Sequence, residues 1–380
     1  MRVIVTDCKY KMSLAPIRSL SRAGYEVLCG EYEDVADRLL LGSRSKQSGG
    51  LIRYSRGDCR NITDLCRDGD VILPVGRATL QNFARHPELN DRVKFLVSPP
   101  EVLDAADDKA YVRRLAEKLG VPAPATFFPE QGETAEKLSG RVNYPCIIKY
   151  KNGEAFGLKS WERYSIVRTP EDFTREFNRM SKTSSELLAQ DYLAGSDVGV
   201  AVVMDRLSRP VDFIMYVSER EYPLSGGPTC LCRTVFDRGL LKHACSVLSH
   251  MKFQGIAMMD FKGSLEKPYL LEINPRIWGS AALCHIAGSG FFESYVKAAL
   301  GEAQPLDMDT CPPRYELGVR MKFIPHSLMA AVKEFAGGDR LEAASDLRAS
   351  FSGGVRDGLW EPGDNRPFYR YMANLFSGKG

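Results

Sequence analysis

Long apolar runs are missing from this 380-residue chain, and with them any stretch suited to crossing a bilayer. The opening MRVIVTDCKYKMSLAP has a short apolar run broken by Asp7 and Lys9, without the longer apolar core and cleavage site of a secretory leader. An excess of one charge is missing too. Lys and Arg number 51 against 48 Asp and Glu, a formal net charge of +3, so neither nucleic acid nor a membrane is expected as a partner. The 10 cysteines lack the paired spacing of zinc knuckles or a disulfide framework, Cys230 and Cys232 being the closest pair, and they fit reduced thiols in a cytoplasm. None of the five histidines stands in a Ser-His-Asp or Cys-His context, and Cys284-His285 reads as core packing. The first turn has no G-x-G-x-x-G, which argues against a dinucleotide site there.

What is present is a chain long enough for two or three subdomains. RVIVTD reads as a strand, APIRSLSRAG as a helix stopped by Gly24, and YEVLCGEY as a second strand. GDVILPVG and VKFLVSPP read as further strands, so residues 1–105 are expected to form a doubly wound parallel sheet. Next comes a helix, DDKAYVRRLAEKLG, with Asp107 or Asp108 near its cap. YPCIIKY and ELLAQDYL then read as strands, with a helix from Pro170 to about Met180, which makes residues 106–194 a small α+β unit. Strands dominate residues 195–310. The pattern weakens over residues 311–380, where DNRPFYRYMANLF reads either as a closing helix or as a packed tail. No internal repeat is visible.

The sharpest feature is YLLEINPRIWGS at 269–280, in which Glu272, Asn274 and Arg276 alternate with Leu271, Ile273 and Pro275. In a strand that spacing puts an acid, an amide and a base on one face. Upstream, GIAMMDFKG joins it through SLEKP, a hairpin connection. A turn centred near Glu266 puts Asp260 opposite Glu272. Like charges paired across strands imply a cation between them, and the hard oxygens of Asp260, Glu272 and Asn274 suit Mg2+ or Mn2+. The competing reading is a solvated hairpin in which Glu272 pairs with Arg276.

These residues resemble the ATP-grasp superfamily, in particular its carbamoyl-phosphate-synthase-like carboxylate-amine ligases. The resemblance implies an N-terminal parallel-sheet domain, a small α+β lid domain and a C-terminal antiparallel-sheet α+β domain. It implies ATP with two Mg2+ or Mn2+ ions held by Asp260, Glu272 and Asn274, with Arg276 stabilising the transferred phosphoryl group. DDKAYVRRLAEKLGVPAPAT nominates Lys109 and YPCIIKY nominates Lys149 as phosphate lysines; read alone, each is more often a solvated surface group, Lys149 less so because it closes an apolar strand. LLAQDYLAGSD resembles the hinge, where Asp191 and Leu193 would meet the adenine edge. Asp197 would bind the ribose hydroxyls, and Gln190 occupies a position that is often Glu. In the loop NGEAFGLKSWERY, expected over the phosphates, only Gly153 and Gly157 remain, and Lys159 supplies charge where amides do not. EYPLSGGPTCLCRTV is similar to an acceptor-side segment, nominating Ser225, Gly226, Gly227 and Arg233, with a plain hairpin turn as the alternative. The implied activity is ATP-dependent joining of a small-molecule carboxylate to an amine, with a homodimer left open. A related phosphotransferase or carboxylating enzyme, or an inactive nucleotide-binding regulator, remains as an alternative.

Overall fold

The computed structural model describes the chain except residues 57, 152–155, 157, 159–161, 222–228, 338–339, 341–343, 345–346, 349–350 and 377–380. Three sheets follow one another. The first is parallel, with strands β1 (Arg2–Val5), β2 (Glu26–Tyr32), β3 (Leu51–Tyr54) and β4 (Val71–Leu73) in the order β3-β2-β1-β4. Val3, Ile4 and Val5 are buried, as strands covered on both faces require.

The expected strand VKFLVSPP is reduced to a single parallel bridge between Val71 and Lys94. Two of its backbone donors are taken by side chains: Asn90 Oδ1 accepts from the Phe95 N–H at 3.0 Å and Tyr295 Oη accepts from the Leu96 N–H at 3.1 Å. Pro99 and Pro100 then offer no N–H at all.

The small second sheet is antiparallel: β5 (Thr126–Phe127), β6 (Cys146–Tyr150), β7 (Tyr164–Val167) and β8 (Leu187–Asp191), in the order β5-β8-β6-β7. Cys146, Ile148 and Tyr150 pack with Phe173, Phe177 and Met180 of the helix Pro170–Ser181, so Ile147 and Lys149 face the other way.

The third sheet has seven strands: β9 (Ser196–Met204), β10 (Pro210–Glu221), β11 (Thr229–Thr234), β12 (Gly255–Gly263), β13 (Pro268–Asn274), β14 (Arg320–Lys322) and β15 (Arg356–Asp357). Their order is β13-β12-β9-β10-β11-β14-β15, antiparallel except for the parallel pair β14–β15, so the sheet is mixed rather than purely antiparallel. The helices Arg238–His250 and Phe291–Leu300 pack on it. Their apolar faces share one core with the helix Leu14–Arg22 of the first domain.

The described residues of the C-terminal 70 pack against the rest. They contribute β14, β15 and the helices Ile324–Gly337 and Arg366–Phe376. Asp364, buried at 1% exposure, accepts from Arg18 Nε at 3.0 Å, Ser45 Oγ at 2.6 Å and the Lys46 N–H at 2.8 Å, which fastens this segment to the first domain.

Candidate nucleotide and metal site

The hairpin β12–β13 carries Asp260 directly opposite Glu272. The connection is tighter by one residue than the sequence spacing suggests, since Gly263 already pairs with Pro268. A β-bulge between Asp260 and Phe261 leaves Leu271 without a partner and restores the Asp260–Glu272 pairing. The bulge also corrects the expected faces: Leu270, not Leu271, joins Ile273 in the core, and Leu271 is half-buried. The strand ends at Asn274, because Pro275 has no N–H to continue the ladder. Arg276 therefore follows in a tight turn, its N–H bonded to the Asn274 carbonyl at 2.8 Å, rather than in strand alternation.

On this patch Asn274 Nδ2 donates to Asp260 Oδ2 at 2.9 Å. Burial and the facing Glu272 push the Asp260 carboxyl well above the usual range, with Asp197 and Glu221 acting in the same sense and Arg276 against it. Glu272 goes the other way. Lys109, joined by Lys149 and Arg276, holds it down to about 2 against the cost of burial. Two facing carboxylates shift apart in this way because each disfavours the charge on the other.

That observation fits a divalent metal. The donors are hard oxygens, and the described residues contain no group of three His, Cys, Asp or Glu side chains arranged to hold an ion alone. A site of two carboxylates and a carboxamide leaves the other positions to phosphate and water, as Mg2+ prefers.

The two phosphate-lysine candidates converge here from different elements. Asp108 caps the helix Lys109–Lys118 by accepting from the Ala110 and Tyr111 N–H groups, and this fixes Lys109 as its first residue. Lys109 Nζ lies 3.1 Å from Glu272 Oε2 and 3.4 Å from the Lys151 carbonyl, so it bridges the large and small sheets. Lys149, on the cleft face of β6, donates to Gln190 Oε1 at 3.0 Å. Gln190 is buried and donates in turn to Thr126 Oγ1 at 3.0 Å, so the carboxamide aims the lysine. Burial lowers Lys149 to about 8, partly offset by Glu272. Where a glutamate would pair ionically, the neutral Gln190 leaves the lysine charge for another anion.

At the hinge, the Asp191 N–H is already bonded to the Ala125 carbonyl at 2.9 Å, and its side chain accepts weakly from Asn143. The Leu193 N–H has no hydrogen-bond partner among the described residues. Asp197 pairs with Lys262 at 2.7 Å across β9–β12. Gly195 and Gly263 meet beside that pair: a Cβ on Gly195 would lie 2.9 Å from the Gly263 backbone.

Other expected residues are less central. Arg233 pairs with Glu219 at 3.1 Å, and Arg320 reaches the same carboxylate at 2.7 Å, on the neighbouring strands β10, β11 and β14. Two guanidiniums on one carboxylate leave a net positive charge. Lys159, Ser225, Gly226 and Gly227 lie outside the described residues.

The sequence reading missed four residues of this neighbourhood: Lys262, Thr126, Glu221 and Tyr216. Lys262 was within reach of it, two positions after Asp260 on the same strand face. Tyr216 pairs with Gly199, which pairs with Asp260, and the tyrosine ring occupies the space that a Gly199 side chain would need.

Comparison with known proteins places this architecture. Residues 183–322 match a family described as "ATP-grasp in the biosynthetic pathway with Ter operon". Rhizobium etli pyruvate carboxylase T882A with acetyl coenzyme-A is similar in structure over 84% of this chain, at a TM-score of 0.59 and 14% identity. This chain spans only 30% of that protein. Phosphoribosylglycinamide synthetase from Anaerococcus prevotii is similar over 79% of this chain and 75% of its own, at 0.56 and 12% identity. L-amino acid ligase from Bacillus licheniformis is similar over 81% and 75%, at 0.55 and 14% identity. At such identities the likeness is one of fold.

Proposed function

We propose that this chain, a member of the ATP-grasp superfamily in fold and in the family that its residues 183–322 match, is an ATP-dependent carboxylate-amine ligase. It phosphorylates a carboxylate to an acyl phosphate, which an amine then attacks, releasing ADP and phosphate. One observation carries this reading. Two lysines from separate elements converge on Glu272, and Glu272 faces Asp260 across a hairpin, so cationic and anionic groups for a metal-phosphate cluster meet in one place.

Bound Mg2+, held by Asp260, Glu272 and the Asn274 carboxamide oxygen, would neutralise charge on the phosphoryl oxygens. The rest falls to the chain's own side chains. Lys109 exchanges Glu272 for phosphate oxygens, while Lys149, an ammonium with three donors, keeps its bond to Gln190 and so stays aimed as its other donors meet phosphate. Arg276, close enough to act on both carboxylates, is placed to meet charge developing on the transferred group. Asp197 accepts from ribose hydroxyls while remaining beside Lys262. A carboxylate is a poor electrophile at neutral pH, and phosphorylation gives the acyl carbon a leaving group, so no side-chain nucleophile is needed.

The solved structures of similar fold include carboxylases as well as ligases, so bicarbonate activation is the second reading. The test is release of ADP and phosphate with candidate acids, with and without amines. Release that depends on both supports ligation, and turnover indifferent to every amine overturns it. Glu272→Ala and Asn274→Ala are each expected to lose turnover by 100-fold or more, on the order of 3 kcal/mol of barrier, while keeping the wild-type circular dichroism spectrum. Near-normal rates in both would remove the metal site from the mechanism.

A further inference from the structure

A cavity of about 530 Å³ lies between the helix Leu14–Arg22, the helix Ala282–Ile286 and the C-terminal segment from Lys322 to Pro362. That volume is within the range of small-molecule sites, roughly 300–1,000 Å³. None of Lys109, Lys149, Asp197, Asp260 and Glu272 lines it.

Its walls carry four fixed cations, Arg18, Arg22, Lys322 and Arg356, against two acids, Asp357 and Glu361. The acids are already engaged. Asp357 accepts from the backbone N–H groups of Ile324 at 2.8 Å, Leu359 at 2.8 Å and Trp360 at 2.6 Å. Glu361 pairs with Arg18 at 3.2 Å, Arg22 at 3.6 Å and His285 at 3.3 Å. Arg18 is heavily engaged: besides Glu361, its Nε holds the Asp364 carboxylate and its Nη2 the carbonyls of Leu359 and Asp364.

Arg356 is not. Its only partner among the described residues is the Ile286 carbonyl, to which Nη1 donates at 3.0 Å, and a guanidinium has five N–H donors. Beside it Trp360 is 41% exposed, and Ile286 and Ile324 add apolar wall. A half-exposed indole next to an arginine with donors to offer suits a ligand that is apolar at one end and anionic at the other.

We propose that this cavity binds a small organic carboxylate with an apolar body, at a site separate from the nucleotide patch. Arg356 takes the carboxylate, Trp360 and the two isoleucines cover the apolar part, and Asp357 and Glu361 in the same wall disfavour a second negative charge. The site assigns a role to the C-terminal segment, which supplies most of its lining. It does not depend on the ligase reading, because binding is measured without turnover.

The test is calorimetric titration of the full chain with hexanoate, octanoate and 4-phenylbutyrate, with and without Mg2+ and ATP. 4-Phenylbutanol and inorganic phosphate serve as controls. The expected result is saturable one-to-one binding of at least one acid, unaffected by nucleotide and weakened about tenfold or more by Arg356→Met, the loss of a charge-assisted hydrogen bond. Ala282→Trp, which fills the cavity, is expected to abolish it. The proposal is overturned if no acid binds at millimolar concentration or if the alcohol or inorganic phosphate binds as tightly as the acids. It is also overturned if Arg356→Met binds like wild type, or if ATP displaces the acid.

Discussion

Gly199 offers a direct test of how the strand that carries Asp260 is supported. It lies in β9 between Tyr216 of β10 and Asp260 of β12. A Cβ at this position would lie 2.2 Å from Tyr216 Cζ, 2.3 Å from Cε1 and 2.6 Å from Oη. The ring cannot swing clear, because Tyr216 is 3% exposed and packed into the main core. Gly199→Ala must therefore spread the strands or expel the ring. Overpacking alone costs about 1–3 kcal/mol, and expulsion of a buried aromatic about 3–5 kcal/mol. Taking about 3 kcal/mol, and an unfolding entropy of ~0.8 kcal/mol/K for a chain of this length, the melting midpoint should fall by about 4 °C. Turnover should fall further than stability, since the displaced ring borders Asp260. The decisive measurement is the thermal midpoint of Gly199→Ala, Tyr216→Leu and the double variant. Shrinking Tyr216 makes room for the methyl group, so the double variant should be more stable than the two single losses imply, by about 1 kcal/mol or more. A single variant melting within about 1 °C of wild type, with an additive double, would refute the close-packing argument.

Two further outcomes follow from groups outside the nucleotide patch. Asp364→Ala leaves the buried Arg18 guanidinium without its main carboxylate, so it should cost about 3–5 kcal/mol, read as a lowered thermal midpoint; Asp364→Asn, which retains acceptor capacity toward Ser45 and Lys46, should cost less. His326 is held down to about 3 by burial and by Lys11, with Tyr371 at 2.9 Å from its Nε2. Its folded value is below that of the unfolded chain, so its contribution is complete above about pH 6.5 and is lost as pH falls toward 3. His326→Gln should therefore flatten the acid side of the stability profile over that window, and an unchanged slope in acid unfolding would count against the assignment.

Much of this fold is written locally. The hairpin, the hinge strand, the capped helix at Lys109 and the helices Arg238–His250 and Phe291–Leu300 each combine period, caps and turns in one short segment. Where the sequence reading slipped, the deciding partner was distant. VKFLVSPP has the composition of a strand but gives the donors of Phe95 and Leu96 to Asn90 and Tyr295, the latter about 200 residues away in the chain. Leu271 has the position of a core residue until the bulge turns it out, and a bulge has no fixed sequence signature. β3, β5, β7, β14 and β15 were not anticipated, each being two to four residues long without the apolar run that marks β1 and β4.

The site divides in the same way. Asp260, Glu272 and Asn274 were legible because alternation within one hairpin places them together. What alternation cannot reveal is how a side chain already in place is restrained. Gln190, read from the sequence as a departure from a glutamate, is the clearest case: its oxygen faces Lys149 and its nitrogen faces Thr126, so it aims a cation without neutralising it. A glutamate there would compete with phosphate for the lysine, whereas the amide leaves the ammonium charge to the neighbouring Glu272 and Asp197 and to any anionic ligand. The substitution therefore changes how tightly the empty cleft holds its own lysine rather than whether a nucleotide can be held, and that distinction depends on three strands, β5, β6 and β8, brought side by side only in the folded sheet.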